Sequence, residues 1–343
     1  MANIAVGYLY FVCLGAAFPF IADALRAGRI SAPAVFAISA IAFLVLPALY
    51  APGTCRVSLV IVGWDAALSA YSYCIETSRA PRPGTKLFVR VEDCLFFLFV
   101  NPVLVYVRRG SKARPAGFEA KGSAHISKGL LSLVLAMAVI SPASRLFESY
   151  VTRSASSLHA ASLAGAQTLA AIASIAVLRF AVEYSMQSGL AELQIGMMRQ
   201  LGHDIPERFK QPLLATDPLD FWRRWNLYVG EWIQRYVFWP FALELGKYRN
   251  SLRSLRGKAI ALLVAFATSG LLHDGVLYLE DAHSHYRGSI VFVIAAGLVM
   301  VWHVAKRQRT PVPAGSLGPI VTREVSRAAF WCSTLALFLW WNK

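Results

Sequence analysis

Apolar runs of about the length needed to cross a bilayer recur from one end of this chain to the other. A helix that spans the hydrocarbon core needs about 20 predominantly apolar residues. We therefore predict an all-α, polytopic integral membrane protein with about eight to ten transmembrane helices, together with re-entrant or interfacial helices. Eight segments meet or approach the length requirement: 4–22, 33–50, 57–75, 129–147, 160–182, 258–279, 288–304 and 325–341.

The composition excludes an ordinary soluble protein. Hydrophobic residues make up 57% of the 343 residues and charged residues 15%, whereas a soluble domain is about 25% charged. Such a chain cannot cover a water-facing surface of normal composition. The formal net charge of +15 does not indicate nucleic-acid binding, because the Lys and Arg residues lie in short clusters between apolar runs. Clusters of this kind are typical of the cytoplasmic loops of membrane proteins.

A ninth apolar segment, 87–107, differs from the others because charged residues near its start leave only 94–107 apolar. A run of about 14 residues is more typical of a re-entrant or interfacial segment than of a span. The flanking loops 76–86 and 108–128 are both basic, and the positive-inside bias places both in the cytoplasm only if 87–107 enters the membrane and returns. This topology has eight crossings, both termini outside and 185–257 inside.

The chain is predicted to form one membrane domain, 1–343, with N-terminal spans in 1–184, a cytoplasmic or interfacial region in 185–257 and C-terminal spans in 258–343. No basic segment precedes the first apolar run, so we interpret that run as a retained span rather than a cleaved signal. The five cysteines form no CxxC pair, and we predict neither a metal site nor a disulfide framework.

The region 185–257 mixes aromatic, basic and acidic residues. Asp217-Pro218 is typical of an N-cap followed by the first helical position, and Pro240 is expected to stop the helix. The prediction is one continuous helix over 218–239, about 33 Å long. Glu231 and Arg235 would lie at pairing distance on it. An aromatic stripe would follow one face, formed by Phe221, Trp225, Tyr228 and Trp232.

Two interpretations of this helix stay open. It is either an amphipathic interfacial helix whose arginines contact lipid phosphates or part of a reaction site. The first interpretation explains Asn226 poorly, because an amide among apolar neighbours needs a hydrogen-bond partner.

His273 lies about 15 residues into the predicted span 258–279. Ionisable residues within a span usually face a protein interior or a water-filled cavity, and histidine is suited to taking a proton near neutral pH. The alternative is a structural histidine that bonds a neighbouring helix. We expect Asp274 to be structural, since adjacent helix positions do not face each other.

These residues together resemble the signature of the membrane-bound O-acyltransferase (MBOAT) family. The similarity covers roughly 200–280, and its order and spacing resemble the bacterial branch that acylates exopolysaccharides and teichoic acids. At Asn226, however, members of that branch commonly have His, and Asn resembles the lipid-acylating branch. The matching runs are Ile205 to Phe209, Pro212 to Ala215, Asp220 to Asn226, Trp232 to Pro240, and Leu272-His273.

The resemblance implies a funnel or tunnel through a multi-pass protein of the bacterial inner membrane. An acyl group would pass from acyl-CoA, or another acyl thioester, to a hydroxyl of a lipid, sterol-like molecule, glycan or secondary metabolite. His273 would act as the base and the Asn226 amide as an oxyanion donor. No cofactor would be tightly bound and no metal used. The donor phosphates would contact Arg223, Arg224 and Arg235, and the tunnel wall would include Trp222 and Trp225.

A second class of function is a transporter or flippase in which intramembrane His273, Asp65 and Glu183 form a proton or substrate path. The chain lacks the paired, interrupted spans in matching halves that are typical of such proteins. A third is an inactive scaffold of the same fold, against which the presence of both Asn226 and His273 argues.

Overall fold

The structure is a computed structural model, and it describes residues 2–50, 53–80, 85–100, 103–105, 118–157, 165–249, 255–280 and 287–308, with 327, 330–331 and 334. Every regular element within these residues is helical, which confirms the all-α prediction. The chain divides into two compact units, and each is described by itself.

The first unit comprises 1–115, 203–205 and 228–293. Its helices, with those that continue across its boundaries, are α1 (Ala2–Gly15), α2 (Phe18–Arg26), α3 (Ala32–Ala40), α4 (Leu46–Tyr50), α5 (Gly53–Arg79), α6 (Leu87–Phe99), and later α11 (Leu227–Ile233), α12 (Trp239–Arg249), α13 (Leu255–Glu280) and α14 (Arg287–Gln308).

An aromatic core holds the N-terminal helices of this unit together. Phe43 meets Phe11 edge-on at 5.5 Å between ring centroids and stacks on Phe18 at 5.4 Å. Phe43 lies in a π-helical turn, Ile41–Val45, between α3 and α4. The side of α5 that faces this turn carries Gly63, where a Cβ atom would lie 1.9 Å from the Phe43 carbonyl oxygen. The close approach of α5 therefore requires glycine at this position.

The second unit comprises 116–202, 206–227 and 294–343, with α7 (Phe118–Leu135), α8 (Ser141–Ser157), α9 (Gly165–Gln200) and α10 (Pro218–Trp222). Two glycine pairs let α7 and α9 touch backbone to backbone. A Cβ on Gly122 would lie 3.1 Å from the carbonyl oxygen of Gly196, and one on Gly129 would lie 2.8 Å from that of Gly189. Small residues at a helix crossing are typical of packing in membranes.

Buried charge lies between these glycine pairs. Glu192 accepts hydrogen bonds from His125 and Lys128, and His125 also contacts Arg199. The sequence interpretation placed His125 in a basic loop over 108–128, whereas helix α7 already begins at Phe118. The basic part of the segment packs as helix because the buried carboxylate of Glu192 on α9 accepts hydrogen bonds from its side chains.

Within the part of the chain that the structure describes, four helical stretches are long and apolar enough to cross a membrane: Leu9–Arg26, Ala32–Tyr50, Lys121–Val151 and Arg287–Val304. They coincide with four of the predicted spans. The predicted spans 57–75, 160–182 and 258–279 lie within α5, α9 and α13, and most of 325–341 lies outside the described residues. The protein is an integral membrane protein, and the count of eight crossings stays a prediction.

The ninth segment forms the short helix α6, which ends at Phe99. Its 13 residues cover about 20 Å at 1.5 Å per residue, less than the roughly 30 Å of a hydrocarbon core. Its polar start is fixed within the unit, since Arg90 donates to Asp23 at 2.9 Å and to the carbonyl of Pro19 at 2.8 Å. A length this short agrees with a segment that does not span.

Candidate active site

Helix α10 begins where the sequence predicts. The Asp217 side chain accepts from the backbone N–H of Asp220 at 2.9 Å, and Asp220 accepts from the N–H of Thr216 at 3.1 Å. Pro218 occupies the first position. Burial raises the pKa of Asp220, but hydrogen bonds from Arg224 and Thr216 lower it by more than burial raises it. The pKa of Asp220 therefore lies below its ordinary value. The predicted N-cap is therefore confirmed.

The continuous helix predicted over 218–239 is wrong. Helix α10 ends at Trp222 and α11 begins at Leu227, and between them Asn226 has φ of 39°. Asparagine is one of the few residues besides glycine that readily adopt this left-handed conformation. Aromatic periodicity did not reveal the break, because it depends on the backbone angle of one residue.

The predicted end of the helix at Pro240 is also wrong, since α12 runs through it to Arg249. A π-helical turn, Gln234–Phe238, lies directly before α12. Proline has no N–H to donate, and its ring needs space from the carbonyl four residues earlier. The widened turn supplies that space.

The break divides the predicted aromatic stripe between the two units. In the second unit, Trp225 stacks on Phe221 at 5.3 Å and meets Phe209 edge-on at 5.2 Å. In the first unit, the indole N–H of Trp232 donates to the carbonyl of Leu68 at 3.2 Å. Phe221 and Trp225 therefore belong to the second unit, whereas Tyr228 and Trp232 belong to the first, and the four residues do not form one continuous helix face.

Both tryptophans predicted to line a tunnel belong to the cluster in the second unit. Trp225 also stacks on Phe180 at 5.8 Å between centroids, and Trp222 meets Phe221 edge-on at 5.3 Å. Both indoles are half-buried and pack against Ala215 and Phe221. Their role as tunnel wall stays a prediction.

Two separate runs of the family signature, Ile205 to Phe209 and Asp220 to Asn226, lie side by side and are joined by backbone hydrogen bonds. The N–H of Lys210 donates to the carbonyl of Arg224 at 2.9 Å, and the N–H of Leu227 donates to the carbonyl of Arg208 at 2.8 Å. Residues 206–211 are thus bonded to residues 223–227. We refer to these two segments together as the motif turn.

The motif turn fixes the orientation of the Asn226 side chain. The Nε atom of Arg208 donates to Oδ1 of Asn226 at 2.9 Å. Because arginine is only a donor, the atom facing it must be the amide oxygen. Among the described residues, the Asn226 amide nitrogen has no hydrogen-bond partner. A half-buried N–H donor with a fixed direction is the type of group that an oxyanion needs.

The three arginines predicted to bind donor phosphates have different surroundings. Arg223 is exposed at the end of α10 and forms no ion pair with a described carboxylate. Arg224 donates to Asp220 at 2.8 Å. Arg235 donates to both carboxylate oxygens of Glu76, at 3.0 and 2.9 Å. Phosphate binding by the latter two would compete with these ion pairs.

The predicted pairing of Arg235 with Glu231 is wrong. The π-helical turn begins at Gln234 and moves Arg235 out of α-helical register with Glu231. The bidentate contact with Glu76 on α5 replaces the predicted pair, and such a contact is stronger than a single exposed one.

His273 lies in an uninterrupted part of α13. Its Nδ1 atom lies 2.7 Å from the carbonyl oxygen of Ser269, one turn earlier. The ring contacts Phe292 of α14 at 4.9 Å and Trp64 of α5 at 6.0 Å between centroids. Since a carbonyl only accepts, Nδ1 carries the hydrogen, and in the neutral ring Nε2 is the basic nitrogen.

Asp274 connects the helix of His273 to the start of α14. Its carboxylate oxygens accept from the N–H groups of Gly288 and Ser289, each at 2.7 Å, and the residue is 4% exposed. A Cβ at Gly270 would lie 2.5 Å from Cα of Ser289, so the helices meet closely there. This supports the expected structural role, since the carboxylate caps a helix N-terminus.

Asn226 belongs to the second unit and His273 to the first. Two contributors to the site were missed: Arg208, which orients Asn226, and Ser269, whose carbonyl sets the tautomer of His273. Arg208 was visible in the matched run but carried no signal of a partner 18 residues away. Among the described residues, no cluster of three or more His, Cys, Asp or Glu residues has the arrangement to hold a metal ion.

Comparison with known proteins matches residues 130–280 to the membrane-bound O-acyltransferase family. This range contains the whole motif turn, His273 and Asp274. It extends further towards the N-terminus than the resemblance at 200–280 and includes all of α9.

Individual relatives come from plants and bacteria. A long-chain-alcohol O-fatty-acyltransferase from Simmondsia chinensis is 34% identical over 31% of this chain and 30% of its own length. A probable alginate O-acetylase from Pseudomonas putida is 32% identical over 25% of this chain and 16% of its own. A peptidoglycan O-acetyltransferase from Helicobacter pylori is 30% identical over 30% of this chain and 22% of its own. The matches thus span less than a third of each of these relatives.

Proposed function

We propose that the protein is an enzyme that transfers an acyl group from a thioester to a hydroxyl, as its match to the membrane-bound O-acyltransferase family over residues 130–280 supports. The observation that carries the proposal is that this one matched range contains both an oriented amide donor at Asn226 and a histidine of defined tautomer at His273.

His273 is proposed as the general base. As the acceptor oxygen attacks the thioester carbonyl carbon, its proton passes to Nε2, the nitrogen left basic by the Nδ1 contact with Ser269. The C–S bond of the resulting tetrahedral intermediate then breaks, and the imidazolium returns the proton to the leaving thiolate. The products are an ester and a free thiol. The rings of Phe292 and Trp64 beside His273 would exclude competing water.

Asn226 is proposed to stabilise the intermediate. The thioester carbonyl oxygen becomes an oxyanion during attack, and an N–H group directed at it in a dry site stabilises that charge. Asn226 has the required donor, and its oxygen is turned towards Arg208.

Acyl-CoA is proposed as the co-substrate rather than a tightly bound cofactor. Of the three predicted phosphate contacts, Arg223 is the one best supported, because it is exposed while Arg224 and Arg235 contact carboxylates. A guanidinium group suits phosphate through paired, charge-assisted hydrogen bonds.

A lipid alcohol is proposed as the acceptor, in a multi-pass protein of the bacterial inner membrane. The plant relative whose name specifies a long-chain alcohol supports it. Asn226 supports it too, because members of the glycan-acylating branch commonly have His at this position. The bacterial relatives, named for alginate and peptidoglycan, support the glycan alternative.

The test uses the purified full chain in lipid vesicles, with acetyl-CoA or palmitoyl-CoA and, in turn, hexadecanol, alginate or peptidoglycan fragments. Free thiol and ester products are measured by colorimetry and mass spectrometry. We expect hexadecyl palmitate as the product. In His273→Gln its rate of formation should be about 10²- to 10⁴-fold lower than in the wild type. Thiol release that is insensitive to His273→Gln would reject the reaction. Ester formed on a glycan alone would reject only the acceptor.

A further inference from the structure

We infer that Arg208 is a positioning residue for this reaction, which fixes the Asn226 amide with its N–H donors directed away from the arginine and available to the oxyanion. The inference rests on the proposed acyl transfer and deepens it, because it assigns a role to a residue that does not itself contact the reacting atoms.

The chemical reason is the two-sided nature of an amide. Rotating the Asn226 side chain by half a turn about its last bond exchanges the oxygen and the nitrogen. With the nitrogen outward, the group stabilises an oxyanion, whereas with the oxygen outward it repels one. A neutral hydroxyl neighbour would permit both orientations, but arginine has no acceptor and permits only one. The 2.9 Å contact from Nε to Oδ1 therefore selects the catalytically useful orientation.

A second contact from the same residue fixes the backbone. The carbonyl oxygen of Arg208 accepts from the N–H of Leu227 at 2.8 Å, directly after Asn226. A left-handed backbone at a residue other than glycine costs of order 1 kcal/mol and persists where neighbouring contacts determine it. Arg208 thus contacts Asn226 by its side chain and the following peptide by its main chain.

The surroundings keep Arg208 itself in place. The residue is half-buried, its neighbour Phe209 is 8% exposed, and Phe209 packs edge-on against Trp225 at 5.2 Å. Lys210 forms the further backbone bond to Arg224. The two residues that directly follow Arg208 are therefore anchored, Phe209 by ring packing and Lys210 by a backbone hydrogen bond.

A double-mutant cycle separates positioning from general structural support. The full chain in vesicles is assayed as wild type, Arg208→Gln, Asn226→Gly and the double variant. Glycine at 226 retains the left-handed backbone without strain while removing the amide. We expect Arg208→Gln to lower kcat about 10- to 100-fold, with KM for acyl-CoA within about twofold of wild type. In the Asn226→Gly background the same substitution should change kcat by less than about threefold.

Two matched variants complete the design. Arg208→Lys retains a donor and should recover part of the lost kcat, since lysine provides only a point charge without the planar geometry. Glu231→Gln, at an exposed position of α11 outside the motif turn, should leave kcat unchanged. Size-exclusion profiles and thermal unfolding in detergent verify that every variant is folded.

An equal loss of kcat from Arg208→Gln in both backgrounds would overturn the positioning role and leave the proposed reaction standing. A rise in KM with unchanged kcat would also overturn it, in favour of substrate binding. If thiol release by the wild type proved insensitive to His273→Gln, the proposed reaction would fail, and the inference about Arg208 with it.

Discussion

The motif turn holds the side chain of Asn226 and helix α13 holds that of His273, and the two side chains are held by opposite means. At the motif turn the helix is interrupted, and a distant side chain, Arg208, orients the amide of Asn226. Around His273 the helix continues, and a carbonyl of that same helix, at Ser269, sets the ring. One arrangement depends on tertiary contacts, and the other is mostly local.

This difference follows from the chemistry that each group is proposed to perform. A histidine needs one nitrogen protonated and the other basic, and any nearby carbonyl achieves this. An amide that stabilises an oxyanion must point its N–H group at the oxyanion. This requires a neighbour that is compatible with only one orientation of the amide. We therefore expect substitutions in the motif turn to lower activity, even though the segment is a loop rather than a regular helix.

Among changes at the motif turn, the largest effect is expected from Asn226→Asp. Aspartate also tolerates a left-handed backbone and still accepts from Arg208, but it lacks the N–H donor and adds negative charge beside a developing oxyanion. We expect kcat to fall about 10²- to 10³-fold with the fold intact. The measurement is ester formation in vesicles alongside thermal unfolding, with the exposed change Glu231→Gln as control. Retained kcat would mean that the motif turn supplies shape rather than a donor.

A smaller, structural effect is expected from Asp274→Asn. The amide has one accepting oxygen, so one N–H at the start of α14 loses its buried partner. We expect a loss of about 1–3 kcal/mol in the free energy of unfolding, measured by denaturant titration in detergent micelles. The exposed change Glu231→Gln should cost less than about 0.5 kcal/mol. Unchanged stability of Asp274→Asn would show that the contact of α13 with α14 does not depend on the carboxylate.

The smallest effect concerns Asp220, which links the N-cap of α10 to Arg224. Its pKa in the folded protein lies below the ordinary value, so its stabilising contribution is fully present above the unfolded pKa of about 3.9. That contribution is lost as the pH falls through the lower, folded pKa. Asp220→Asn should cost about 0.5–1 kcal/mol near neutral pH and less in acid. Thermal unfolding as a function of pH measures it, and a cost independent of pH would exclude the ionised carboxylate as its source.

Much of the helical architecture was predictable because it depends on local sequence properties. Runs of apolar residues determined where helices such as α3 and α14 lie, since backbone groups in lipid must bond within their own segment. Asp217-Pro218 determined where α10 begins, because an N-cap acts within a few residues. The motif runs in 200–280 indicated a family resemblance that the match over 130–280 supports, and Asn226 and His273 were recognisable as polar groups that an apolar setting makes costly.

Only the tertiary structure decided what these residues contact. The helix break at Asn226 depends on one positive φ angle and on bonds to a loop 18 residues earlier. Arg235 pairs with Glu76, a carboxylate 159 residues away, instead of with the predicted partner Glu231. A linear pattern records which faces are apolar, but it does not record which donor meets which acceptor, because hydrogen bonds are short and directional. For this protein, the sequence determined where most of the helices lie and which residues are proposed to react, and the tertiary contacts decided how those residues are held.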